Sequence, residues 1–251
     1  MKGTILSAAL AALTLSVFAQ PACANEAPHW SYDGDAAPQN WSKLSPDFHL
    51  CEQGKAQSPI DIKDALQVHP RPLKLSYQLP PVSVINNGHS VQVNVQQGDF
   101  ATLDGERFVL QQFHFHSPSE NTLNGKSFPM EAHFVHMDAD GEIAVIAVMF
   151  ETGQANPELE KIWQQMPEKA DGEPVALKEK VSLDGLLPKN LTHYRFSGSL
   201  TTPPCTEGVR WLVVKQPQTL SAAQLQKFQH VMHHANNRPV QGLHGRVVVA
   251  E

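Results

Sequence analysis

The stretch Gln112-Phe113-His114-Phe115-His116, with Glu131-Ala132-His133 following it, decides how this chain is read. In a β-strand successive side chains point to opposite faces, so His114 and His116 share one face, two residues apart. A third imidazole from a neighbouring strand, His133, completes a three-nitrogen site. Three neutral imidazoles suit zinc and leave its fourth tetrahedral position open, which separates a catalytic zinc from a structural one. Gln112 and Glu131 each precede a histidine by two residues, on its own face, where each can accept the ring N–H turned away from a metal. An isolated H-x-H pair is more often polar surface. The same-face Gln and Glu, the apolar Phe113, Phe115 and Phe134 between them and the third histidine reverse that reading.

The other histidines are weaker candidates. His230, His233 and His234 have spacings that could bind metal, but they project away from the Leu225/Phe228/Val231/Met232 face and lack the glutamate of an H-E-x-x-H helix. They read as a solvated face. His136 follows His133 by three and so faces the other way in a strand, as a hydrogen-bonded structural histidine.

Outward from this core the chain reads as mainly β (α+β), a single domain of many short strands. Strand-like stretches run from Val82 to Ile85, Val91 to Val95, Phe108 to His116, Glu131 to His136, Ile143 to Phe150, Arg195 to Ser199 and Arg210 to Lys215. Asn124-Gly125 signals a turn between the two histidine strands. Two helices are legible. Asn156-Pro157 is an N-cap with proline at the first helical position, followed by Leu159, Ile162, Trp163 and Met166 at helical spacing. Ser221 and Gln224 form a capping box, with Leu220 and Leu225 as a hydrophobic staple.

The chain has 251 residues and a formal charge of -6. That mild acidity, without a basic run, argues against nucleic acid or an anionic membrane as partner. Residues 1–24 read as a signal peptide: Lys2, an apolar Ile5 to Ala19 too short to span a bilayer comfortably, and the small-x-small site Ala22-Cys23-Ala24. The mature domain is then 25–251, and no later apolar run has transmembrane length. Export makes the periplasm the expected location, with secretion second. Cleavage removes Cys23 and leaves Cys51 and Cys205, an even pair expected to be bridged in an oxidising compartment.

The chain resembles the α-class carbonic anhydrases of the bacterial exported type over essentially the whole mature sequence. The resemblance is carried, in family order, by His29-Trp30-Ser31-Tyr32, Gln57-Ser58-Pro59-Ile60-Asp61-Ile62, Asn86-Asn87-Gly88-His89, Gln112 to His116, Glu131 to His136, Ser199-Leu200-Thr201-Thr202-Pro203-Pro204 and Asn236-Asn237-Arg238-Pro239. It implies a large, twisted, mostly antiparallel central sheet with short peripheral helices and zinc at the bottom of a conical cleft. It implies His114, His116 and His133 as Zn²⁺ ligands, with Gln112, Glu131 and the backbone carbonyl of Asn236 behind them. Cys51 and Cys205 match the family's disulfide, and Ser58-Pro59 and Pro203-Pro204 its cis peptide bonds. The implied reaction is reversible hydration of CO2 to bicarbonate by attack of zinc-bound hydroxide. Glu120 and Thr201 match the relay that orients the nucleophile, and His89 matches the proton shuttle. Val135, Val145, Leu200 and Trp211 match the apolar wall for CO2, and Thr202 a bicarbonate contact. Sulfonamides and small anions are the implied inhibitors, weak esterase activity a side reaction, and a homodimer an option by analogy with bacterial relatives. Ser117-Pro118-Ser119 after His116 departs from the Trp-Gly-containing turn of animal members but keeps the glutamate. Two rival readings are a catalytically inactive carbonic-anhydrase-like zinc-binding or interaction module and a zinc peptidase. The retained ligands, Thr201 and Glu120 speak against the first, and the missing H-E-x-x-H helix against the second.

Overall fold

The computed structural model describes residues 28–170 and 172–251, so the expected signal peptide at 1–24 lies outside it. The strands Glu106–His116, Met130–Met137 and Ile143–Thr152 form the antiparallel heart of a large sheet. Outward from Glu106–His116 lie Val91–Asn94, Ser83–Asn86 and Val175–Ala176. Outward from Ile143–Thr152 lie Glu207–Val214, His193–Ser199, Val249–Ala250 and Leu66–Gln67. Pairing is mostly antiparallel; Ile143–Thr152 with Glu207–Val214 is one of the parallel exceptions. The helices Pro157–Trp163 and Ala222–Met232 contribute Leu159, Ile162, Trp163, Phe228, Val231 and Met232 to the core on one face. Both caps form as the sequence predicts. Asn156 accepts from the N–H groups of Glu158 and Leu159, and Ser221 and Gln224 make the reciprocal capping box. No helix among the described residues is long and apolar enough to cross a membrane.

One feature of the first histidine strand was not legible. Its register against Met130–Met137 shifts between Leu110 and Gln112, leaving Gln111 as an extra residue. Strict alternation would put Phe108 and Leu110 on the face of Gln112 and His114. The bulge reverses that parity. Phe108 and Leu110 therefore share a core with Phe113 and Phe115, and Gln112, His114 and His116 are released to the other face. The short strands Leu66–Gln67, Lys74–Ser76 and Val249–Ala250 were also missed, being too brief to carry a period, as was the four-residue Phe100–Leu103.

Cys51 and Cys205 are bridged. The bridge holds the tight loop after Ser199, in which the Leu200 N–H reaches Thr206 O and the Cys205 N–H reaches Thr202 O, both at 2.9 Å. Ser58-Pro59 and Pro203-Pro204 are cis as expected, and so is Ser117-Pro118.

Candidate metal centre

Sheet register assembles the site. His114 lies directly opposite His133, and His116 opposite Glu131. Side chains on paired positions share a face, so the two strands bring three imidazoles together. Their ring centroids are 5.0, 5.3 and 4.6 Å apart. The same register lays out a second row two residues along. Val135 pairs with Val145, Val145 with Trp211, and Trp211 with Phe196. Three of the four residues expected to form the apolar wall, Val135, Val145 and Trp211, thus lie in one transverse row across the sheet, on the face of the imidazoles, whereas Leu200 lies outside the row in the loop after Ser199. Trp211 packs edge-on against His133 at 4.9 Å and donates its indole N–H to Ser199 O at 3.0 Å. Val135, Leu200, Thr202 and His114 keep some exposure, while His116, His133, Glu120 and Thr201 are buried beneath them. That gradient is the depth of a cleft.

Two of the rings have one nitrogen hydrogen-bonded: Gln112 Oε1 lies 2.8 Å from His114 Nδ1, and Asn236 O 2.6 Å from His116 Nδ1. Glu131 Oε1 lies 3.0 Å from His133 Nε2, close to it but off the line of an aligned hydrogen bond. His114 Nε2, His116 Nε2 and His133 Nδ1 remain, and the three histidines offer ligand atoms within 4.8 Å of one another. His116 Nε2 is buried without a hydrogen-bond partner, an orphan that a metal would satisfy. Burial, joined by the neighbouring imidazoles, holds His114 and His133 well below the ordinary histidine pKa; burial also lowers His116. The rings are therefore neutral, as metal ligands must be. The donor set fits zinc.

Glu120 sits beside these nitrogens, its Oε2 3.6 Å from His116 Nε2 and 3.9 Å from His133 Nδ1. Its Oε1 accepts from the Arg238 N–H at 2.8 Å. Burial pushes its pKa up to about 8, against the opposing pull of the Arg238 N–H and the Thr201 side chain. A divalent cation at the imidazoles acts the other way and favours the carboxylate. Thr201 is thus beside Glu120, although Glu120 Oε2 makes no hydrogen bond of ordinary length. Glu131 is itself tethered: Oε2 accepts from the N–H groups of Glu120 and Asn121, and Oε1 from Asn121 Nδ2.

His89 occupies a separate station. Its half-buried ring stacks on Trp30, with centroids 3.7 Å apart and planes 9° from parallel, and His29 lies 6.5 Å away. Gly88 enters this turn at φ 82°, where a side chain would be strained.

Sequence reasoning missed three residues. Asn121 is fully buried and joins Glu131 to the Ile60 N–H. Arg238 is buried, its guanidinium bound to Gln57 Oε1 and to the carbonyls of Ser58 and Cys51. The Tyr32 hydroxyl is buried without a hydrogen-bond partner and feels the charges of Glu120 and Arg238. Tyr32 and Arg238 were visible only as letters within motifs, and Asn121 carried no signal. Of the alternative histidines, His230 and His233 are exposed as expected, but the helix ends at Met232: His233 is its left-handed C-cap, and the half-buried His234 lies beyond it, its ring 6.0 Å from that of Tyr32. His136 is buried, its Nδ1 donating to Phe134 O at 2.9 Å and its Nε2 accepting from the Tyr77 hydroxyl at 2.6 Å.

Three neutral imidazoles on a sheet floor, a buried carboxyl and threonine beside them and an apolar row facing the same space define a metalloenzyme of the three-histidine zinc class. Residues 36–251 match the eukaryotic-type carbonic anhydrase family, and the chain belongs to it. A carbonic anhydrase of Pectobacterium carotovorum is 51% identical over 249 residues, 99% of this chain and all of the relative. One of Neisseria gonorrhoeae is 47% identical, covering 88% of this chain and 87% of the relative. Among solved structures, the α-carbonic anhydrase of Thermovibrio ammonificans, in complex with the inhibitor sulfanilamide, superposes with a TM-score of 0.87 at 48% identity, over 89% of this chain and all of that one.

Proposed function

We propose that this protein is a zinc carbonic anhydrase that interconverts CO2 and bicarbonate, with His114, His116 and His133 as the ligands. The observation that carries the reading is the convergence of three imidazole ligand atoms beside Glu120, within a family match spanning most of the chain. Zinc at such a site makes water a nucleophile near neutral pH, behaviour for which this enzyme class is itself the reference case.

The protein's own groups do the rest. Thr201 can turn its hydroxyl proton toward Glu120 only when Glu120 is ionised, which leaves a lone pair to accept a proton from a donor in the cleft. Anions without a proton to donate are thereby disfavoured. CO2 is apolar and uncharged, so Val135, Val145, Leu200 and Trp211 offer it a surface that does not compete through hydrogen bonds. Thr202, at the partly exposed rim, is suited to contact bicarbonate. His89 carries the released proton toward solvent, a task for an imidazole, which can both accept and donate a proton.

Sulfonamides and small anions are expected to inhibit, the former as with the Thermovibrio relative. Residues 1–24 serve as a signal peptide and 25–251 as the mature periplasmic enzyme, a reading supported by the disulfide and by bacterial relatives. A homodimer is an option by analogy with bacterial relatives. Stopped-flow CO2 hydration alongside zinc quantification tests the function. Activity should disappear with chelator and return with zinc; a fully zinc-loaded protein without hydration activity would mean an inactive relative.

A further inference from the structure

The loop that carries His89 is bound to the ligand strand at one peptide group. Asn87 Oδ1 accepts the N–H groups of His89 and Ser90 at 3.0 and 2.8 Å, which closes the turn on itself. On the carboxyl side of His89, the buried Ser90 hydroxyl donates to Phe115 O at 2.6 Å and accepts the Phe115 N–H at 3.2 Å. Asn236, fully buried, donates its Nδ2 to the same Phe115 O at 2.9 Å and to His89 O at 3.1 Å, while its Oδ1 accepts the Ser117 N–H at 2.8 Å. Phe115 lies between His114 and His116. The backbone carbonyl of Asn236 already contacts His116; its side chain is a separate device reaching in the opposite direction.

We propose that the Ser90 hydroxyl and the Asn236 carboxamide form a clamp that holds the His89 turn at fixed spacing from the ligand strand, making both positioning residues for proton export. A water-bridged proton path depends steeply on the separation of its ends, so a loosened turn slows proton transfer before it touches the metal. Both side chains are buried, and both converge on Phe115 O. A purely local turn would need Asn87 alone. The inference rests on the assignment of His89 as shuttle.

The experiment compares Ser90→Ala, Asn236→Ala and His89→Ala in the zinc-loaded enzyme. Its readouts are kcat in weak buffer, kcat/KM, rescue by imidazole, zinc content and the ring-current shift of the His89 ring protons produced by Trp30. Ser90→Ala should lose several-fold in weak-buffer kcat, recover with imidazole, keep kcat/KM and zinc, and show a changed His89 shift. Asn236→Ala should show the same weak-buffer loss and shift, which keeps the test decisive if one variant folds poorly. If His89→Ala is impaired while both clamp variants turn over normally with an unmoved His89 signal, the clamp is wrong and the shuttle stands. A loss of zinc or a parallel fall in kcat/KM in Ser90→Ala would also overturn it. Unimpaired His89→Ala would remove the shuttle and the clamp together.

Discussion

At the scale of single residues, every imidazole of the triad has a neighbour of different chemistry at one nitrogen: a side-chain amide, a backbone carbonyl and a carboxylate. The two hydrogen bonds among these fix which nitrogen is left for a metal. Removing His114 leaves two nitrogens at the bottom of a cleft that water can reach, so His114→Ala should retain little zinc after dialysis, read by atomic absorption. Thr201→Ala should keep its zinc, because Thr201 touches no ligand ring. Hydration should nonetheless fall on the order of 10²-fold, the usual cost of deleting one aligned hydrogen-bonding group at a reacting centre. A chelator-sensitive but equally fast Thr201→Ala enzyme would remove the relay from the mechanism. The ligands themselves were readable because strand alternation is a local rule. Gln112 and Glu131 were readable for the same reason.

At the scale of elements, the bulge at Gln111 does what no local rule announces. It lets one strand serve the core with Phe108 and Leu110 and again with Phe113 and Phe115, although the step from Leu110 to Phe113 is three positions, an odd number that plain alternation would send to opposite faces. Deleting Gln111 would make Leu110 and Gln112 consecutive opposite His136 and Val135, so plain alternation would keep both pairs in the core and His114 and His116 on the other face. The deletion variant is therefore expected to fold and retain zinc, read by circular dichroism and atomic absorption. An unfolded variant would show that the bend of the bulge is itself required. The helices were legible because their ends carry chemistry that acts within four residues, as Asn156 and Ser221 do. The briefest strands were not, since two or three residues of extended chain are defined by their neighbours and not by a period of their own.

At the scale of the whole molecule, contacts distant in sequence tie the sheet together away from the histidines. Asp104, at the end of the segment Phe100–Leu103, bonds Arg195 and Arg71. The Arg195 guanidinium, more than Arg71, holds the Asp104 carboxyl well below the usual aspartate range. A depressed folded-state pKa stabilises the fold above the unfolded value, about 3.9, and that contribution is lost as pH falls through the folded value. Asp104→Asn, which suits the positive φ of this position, should lower the melting temperature at pH 7. The gap to the parent should begin to close below about pH 4; a gap independent of pH would mean that packing, not charge, was lost. The Cys51–Cys205 bridge acts at the same scale. With a sequence separation of 154, it restrains the unfolded chain by up to roughly 5 kcal/mol in the loop-entropy account.

The sequence by itself determined the sheet-dominated class, the two capped helices, the cysteine pair and, through alternation, the grouping of the three histidines; the roles proposed for Thr201, Glu120 and His89 come from family resemblance alone. All of these are local patterns, or motifs whose order in the chain is itself the signal. Only the tertiary structure decided that His114 faces His133 in register, that Val135, Val145 and Trp211 lie in one transverse row, that Asn121 tethers Glu131, and that Ser90 and Asn236 fasten the His89 turn to the peptide between His114 and His116. Those contacts join residues tens to more than a hundred positions apart. Which partners meet over such distances is set by strand pairing and a single bulge, and a short-range period carries no record of either.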